Sequence, residues 1–156
     1  MSQENVEVVR HATQQRDGKD LVPWIREFVE SVDWSDPDAV AAAVAEEAQG
    51  RYLDPDIEWE WEATGAVGDV FRGLYGVARY WADWAADWES YVYRVKEYRN
   101  LGSWVLTLAD VKAVGRGGIP VEMQVFQMWQ VRDGKVSVMR AFLSEAEALE
   151  AVGLSE

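Results

Sequence analysis

Between Gly117 and Leu143 the chain reads GGIPVEMQVFQMWQVRDGKVSVMRAFL, two apolar-rich stretches on either side of Arg132-Asp133-Gly134-Lys135. Asp-Gly between two such runs predicts a tight hairpin, because both residues tolerate the positive φ that the turn demands. Strand alternation then sorts the side chains. Met123, Val125, Gln127, Trp129 and Val131 share one face, and Glu122, Gln124, Phe126, Met128 and Gln130 share the other. The first row holds one polar group, Gln127, among large apolar ones, which is the pattern of a pocket wall. The second row, together with Trp104, Leu106 and Leu108 on the preceding strand, predicts a broad apolar patch on the outer sheet face. A second copy of the chain usually covers such a face, so a homodimer through it is expected.

The remaining elements follow from periodicity and caps. Asn5 to Arg16 reads as a helix stopped by Asp17-Gly18, and a second helix runs from about Pro23 through Trp24, Ile25, Phe28, Val29 and Val32. Ser35 or Asp36 caps a third helix with Pro37 at its first position, ended by Gly50. Tyr52 to Asp56 turns into a strand, Ile57 to Glu62, in which Ile57, Trp59 and Trp61 alternate with three glutamates. After a glycine-containing loop, Ala63 to Asp69, a helix from Tyr75 to about Ser90 presents Val77, Trp81, Trp84 and Trp88 as one stripe, with Tyr80 on its shoulder. Strands over Tyr91 to Arg99 and Trp104 to Val114 precede the hairpin, and Ser144 caps a last helix, Glu145 to Val152. Helices first, then one helix among antiparallel strands, make an α+β fold: one domain over residues 1–156, with helices covering one face of a curved sheet.

Composition narrows the function classes. A formal charge of −13 leaves no basic patch for nucleic acid or for an anionic membrane surface. There is no cysteine and only one histidine, His11, so thiolate chemistry, disulfides and multi-histidine metal sites are excluded and no cofactor is implied. No apolar run reaches membrane-spanning length and the start, MSQENVEVVR, is polar, so a cytoplasmic protein is expected. Nine tryptophans exceed what a core of this size ordinarily needs, and some are expected to line a cavity for a flat apolar ligand.

Three segments, Leu53-Asp54-Pro55-Asp56-Ile57-Glu58-Trp59, Phe71-Arg72-Gly73 and Trp129-Gln130-Val131-Arg132-Asp133-Gly134-Lys135-Val136, stand in an order and spacing that resembles the SnoaL-like branch of the NTF2-like superfamily. The ending Ala146 to Leu154 fits as well. The resemblance covers the chain from about residue 23 and implies a cone, a curved, mostly antiparallel sheet wrapped around N-terminal helices and one central helix, with a deep apolar pocket. It leaves an extra N-terminal helix, about residues 3–17. Members include polyketide cyclases, ketosteroid isomerases, limonene-epoxide hydrolases and dehydratases, so the fold alone does not choose an activity.

Carried over by position, the resemblance implies a hydrogen-bond donor at Gln127, where isomerases hold an aspartic acid and many relatives a histidine. Glutamine donates but cannot shuttle a proton. The segment Met139-Arg140-Ala141-Phe142-Leu143 implies Met139, Ala141 and Leu143 in the pocket. The isomerase base aligns with Glu60 without gaps, or with Trp61 after a one-residue shift. The alternation favours the glutamates as the solvated face, with Trp59 and Trp61 inside. The tyrosine of the first family helix aligns with Phe28, or with His11 if the chain start is matched instead. Candidate catalytic groups are therefore Gln127, Glu60 and His11, and candidate ligand contacts are Phe28, Trp59, Trp61, Tyr80, Trp84, Met123, Trp129, Met139, Ala141 and Leu143. Two functions are expected to compete: a cofactor-independent cyclase or isomerase using acid/base chemistry on an apolar carbonyl compound, and a protein that binds an apolar ligand without transforming it. A dimeric interaction module is the third reading.

Overall fold

The computed structural model describes residues 2–14, 17–61 and 70–154, apart from the side chains of Ser2 and Trp61. The loop expected over Ala63 to Asp69 and the pocket role expected of Trp61 therefore lie outside what is described. The elements are α1 (Ser2–Gln14), α2 (Leu21–Ser31), α3 (Pro37–Glu46), β1 (Leu53–Trp61), β2 (Val70–Arg72), α4 (Gly73–Ala85), β3 (Trp88–Asn100), β4 (Trp104–Gly115), β5 (Pro120–Arg132), β6 (Lys135–Phe142) and α5 (Glu145–Ala151). The fold is α+β, one six-stranded sheet in the order β2-β1-β6-β5-β4-β3, antiparallel except where β1 runs parallel to β6. This is the α+β architecture expected from the sequence.

The hairpin anchors the sheet. Asp133 and Gly134 take φ of 54° and 78°, which splices β5 to β6 with a two-residue turn of the hand that strand twist favours. Across the hairpin Trp129 pairs with Met139 and Gln127 with Ala141, and on the other side of β5 Gln127 pairs with Thr107. The inward row of β5 thus meets inward rows on both neighbours. Val105, Val111, Val125, Trp129, Met139 and Ala141 form the main core with Ile25, Phe28, Val40, Val44, Ile57, Val77 and Trp81 from the helices and β1.

Local sequence sets the helix boundaries. Asp36 caps α3 by accepting from Ala39 N, with Pro37 at the first position, and Ser144 caps α5 by accepting from Glu147 N. Asp20 caps α2, which starts at Leu21, two residues before the expected start at Pro23. Helix α4 ends at Ala85, earlier than its apolar stripe suggests, and Trp88 belongs to β3. Trp88 pairs with Gly115 of β4 and its ring meets Tyr91, which also meets Trp84, so sheet pairing and ring packing override helical periodicity here. The short β2, which follows the expected loop and was not expected as a strand, pairs with β1 at Glu58 to Glu60.

Two features close the sheet. The segment between α1 and α2 lies along the free edge of β3: Gly18 N donates to Tyr93 O, Asp17 Oδ1 accepts from Val95 N, and Asp20 Oδ1 accepts from both Tyr91 N and Val22 N. An edge strand that would present unpaired backbone is thereby covered. On the outer face, Leu106, Phe126, Met128 and Phe142 are buried with Ala148, and Leu149 and Val152 pack around them. The apolar row expected to form a dimer seam is covered by the chain's own α5, because the capped C-terminal helix folds back onto it. Trp104 and Leu108 remain half-buried on that face.

Candidate functional site

A cavity lies between the inner face of the sheet and the helices. Its volume is about 80 Å³, room for a small ligand only. Two helices and three strands form its walls, and two residues from elsewhere close one end. Helix α4 contributes Tyr80, Trp81 and Trp84; α2 contributes Leu21, Trp24 and Ile25. Trp59 stands on β1, Tyr91 and Tyr93 on β3, and Gln127 and Trp129 on β5, while Thr13 and Gln49 close the end beneath α1. The tryptophan-rich stripe of α4 faces the alternating aromatic row of the sheet, and the rings interlock edge to face. Trp59 meets Trp129 at 6.1 Å and 87°, Trp24 meets Trp81 at 5.3 Å and 60°, and Trp84 meets Tyr91 at 4.6 Å and 72°. These arrangements match the edge-to-face preference set by the ring quadrupole.

The polar groups of the cavity are mostly committed to one another. Trp129 Nε1 donates to Thr107 Oγ1 at 2.9 Å, and the Tyr93 hydroxyl donates to Gln127 Oε1. Gln127 Nε2 faces Met139 Sδ at 3.5 Å. Trp24 Nε1 donates to the Glu47 carboxylate beside the cavity, Gln49 Nε2 donates to Ala12 O, and Thr13 Oγ1 shares a hydrogen bond of 2.6 Å with the Tyr98 hydroxyl. Trp59 Nε1 is buried and has no hydrogen-bond partner among the described residues.

Electrostatically the cavity is neutral. Among the described lining residues there is no carboxylate, imidazole, ammonium or guanidinium group. The phenols of Tyr80, Tyr91 and Tyr93 are the titratable groups present, and burial pushes all three well above the usual tyrosine value. The Trp59 indole beside Tyr80 and the Thr107 hydroxyl beside Tyr93 oppose that shift only in part. At neutral pH these hydroxyls keep their protons and act as donors, not bases.

The candidates from sequence separate into three groups. Gln127, Trp59, Tyr80, Trp84 and Trp129 line the cavity together. Phe28, Met139 and Ala141 are buried in the adjoining core, Phe28 edge-on to Trp81 at 5.2 Å, and Met123 is half-buried beyond the cavity's reach on β5. Three others are placed elsewhere. Glu60 points to the outer face, where Arg140 Nε donates to it at 2.7 Å, because β1 alternates and Trp59 takes the inside. His11 sits on the exposed side of α1 with its ring stacked on Tyr52 at 5.7 Å and 17°. Leu143 is 46% exposed, since sheet pairing stops at the Phe126–Phe142 pair and strand alternation no longer governs the next residue.

Sequence reasoning did not place Thr13, Leu21, Trp24, Ile25, Gln49, Trp81, Tyr91 or Tyr93 in the site. Tyr91 and Tyr93 carried a usable signal: they alternate along β3 and pair with Ala113 and Val111, which belong to the inward row of β4. Trp81 shared the apolar stripe with Trp84. Thr13 and Gln49 reach the cavity only through tertiary packing and carried none. Among the described residues, no three His, Asp or Glu side chains are grouped to hold a metal ion, and no helix is long and apolar enough to cross a membrane.

Comparison with known proteins agrees with this architecture. TerC, co-crystallised with polyporic acid, superimposes with a TM-score of 0.62 at 15% identity, over 94% of this chain and 96% of that one. A candidate SnoaL-like polyketide cyclase from Jannaschia sp. CCS1 gives 0.61 at 14% identity, over 99% and 94%. An NTF2-like protein from Burkholderia thailandensis E264 gives 0.57 at 19% identity, over 86% and 98%. At these identities the likeness is one of fold. No curated protein matches the chain. The model of the SnoaL-like domain matches residues 25–139, from α2 through the middle of β6 with the hairpin between, and the chain belongs to the SnoaL-like domain family.

Proposed function

We propose that this SnoaL-like protein binds a neutral, flat, apolar small molecule in the aromatic cavity, without acid/base catalysis by the side chains around it. The observation that carries this reading is the absence of any group ionised at neutral pH among the described lining residues. A cyclase or isomerase mechanism needs a base within reach of the substrate proton. Glu60 and His11, the two bases suggested by sequence, stand outside the cavity. The wall of interlocked indoles and phenols supplies apolar area and excludes water, which favours flat ligands. TerC, the relative crystallised with polyporic acid, shares this fold and is consistent with a small-molecule pocket.

Charge on the ligand is the discriminating variable. An ion entering the cavity would lose its hydration and meet no opposite charge among the described lining residues, the Glu47 carboxylate beside them being engaged by Trp24. Tryptophan-fluorescence titrations with indane, indane-1-carboxylate and 1-aminoindane, three forms of one skeleton, should show saturable binding of indane and weaker binding of both ions. Tighter binding of either ion, or no binding of indane, contradicts the reading. Self-association through the outer sheet face belongs to this proposal only as far as Trp104 and Leu108, the half-buried remainder of the apolar row, provide area for it. A dimer by analytical ultracentrifugation at micromolar concentration supports that interface, and a monomer removes it.

A further inference from the structure

We propose that the indole N–H of Trp59 is the hydrogen-bond donor that orients an oxygen-bearing ligand in the cavity, with the Tyr80 hydroxyl beside it as a second donor. This rests on the cavity being a ligand site, and it adds what the ligand must carry: a neutral acceptor oxygen, such as a ketone, on an apolar skeleton.

The inference starts from the satisfaction of buried polar groups. In folded proteins nearly all of them find partners, and each exception calls for a reason. Here the indole nitrogens of Trp24, Trp34 and Trp129 donate to Glu47, to Val29 O and to Thr107. Trp59 is only 4% exposed, lines the cavity, and its Nε1 is the one buried side-chain nitrogen or oxygen without a partner among the described residues. The neighbouring Tyr80 ring lies 5.9 Å away at 51°. Its hydroxyl is beside the indole, whose nitrogen is left without a hydrogen-bond partner among the described residues. Gln127, the donor that family resemblance would nominate, already accepts from Tyr93 with its oxygen and faces Met139 Sδ with its amide nitrogen. Gln127 retains at most one further N–H, whereas the buried donor with no partner at all is on the wall formed by Trp59 and Tyr80.

An acceptor placed there satisfies a donor that the empty protein leaves buried. A ligand lacking it gains the apolar contact alone. Sites built to bond a ligand oxygen discriminate against the analogue without one, because the donor is then left unpaired. The pair 1-indanone and indane isolates this difference, since they share a skeleton and differ in a carbonyl.

Isothermal titration calorimetry of both compounds tests the proposal with the wild type, Trp59→Phe, and a variant carrying 3-benzothienylalanine at position 59. The last keeps the shape and replaces N–H by sulfur, so the comparison survives if the phenylalanine variant folds poorly. The wild type should prefer 1-indanone over indane by about three- to tenfold, the effect of one neutral hydrogen bond. Both variants should lose that preference while retaining indane affinity. In ¹H–¹⁵N spectra the Trp59 indole proton, identified by its loss in Trp59→Phe, should move downfield with 1-indanone and not with indane. Equal binding of the two compounds by the wild type, or an unchanged preference in the variants, overturns the donor assignment and leaves the neutral pocket standing. Failure of both compounds to bind overturns the pocket as well.

Discussion

Gln127 shows how one residue can keep its place in a fold while the chemistry around it changes. Its oxygen accepts from Tyr93 and its nitrogen faces Met139, so it is a fixed element of the cavity floor with no proton to exchange. The tyrosines near it behave in the same way. Because burial raises the values of Tyr80, Tyr91 and Tyr93 above that of an unfolded chain, about 10, the folded state keeps protons that the unfolded state gives up in alkali. The stabilisation is complete below about pH 10 and declines as the pH rises beyond it, since the unfolded chain then gains from ionising. Absorbance at 295 nm followed alongside circular dichroism should show these phenols ionising only as the fold is lost. Their titration near pH 10 with the fold intact would contradict the burial argument. Gly50 is a further residue-scale constraint: a Cβ there would lie 1.7 Å from Val44 O, so only glycine fits where α3 passes into the turn leading to β1.

At the scale of elements, much of the fold was legible because its signals are local. Asp-Gly fixed the hairpin, Asp36-Pro37 and Ser144 fixed two helix starts, and alternation in β5 gave the correct inward row. What was not legible depends on which element reaches which. The outer row of Leu106, Phe126 and Met128 looked exposed because alternation says which way a side chain points and not what lies over it; α5 lies over it. Likewise, nothing local announces that Asp17 to Asp20 runs along β3. That segment is testable on its own. Asp20 holds the first turn of α2 and the backbone of Tyr91 through one carboxylate oxygen. Asp20→Ala should cost about 1–2 kcal/mol, the range for loss of a helix cap, and should raise amide exchange at Tyr91 and Val22. Unchanged urea midpoint and exchange would show that the edge is held by other contacts.

Across the whole molecule, the charge of −13 and the aromatic richness divide cleanly between outside and inside. Ion pairs such as Glu58–Arg72, Lys96–Asp110 and Arg99–Glu145 are on the exterior, and the cavity wall is made mostly of aromatic rings, with two aliphatic side chains, two amides and a hydroxyl. The candidate site was legible in part for the same reason: Trp59, Tyr80, Trp84, Gln127 and Trp129 stood on inward rows or stripes, whereas Thr13 and Gln49 arrive from segments whose packing no periodicity encodes. The family resemblance located the pocket and, by pointing to Glu60 and His11, suggested chemistry that the geometry does not bring together. The central claim is that the pocket recognises its ligand without any group that titrates near neutrality. The dissociation constant of indane, measured by calorimetry at intervals from pH 5 to pH 9, tests it most directly. The expected result is a constant that stays flat across that range; a change following a single titration between those limits would place an ionisable group in the site and contradict the account.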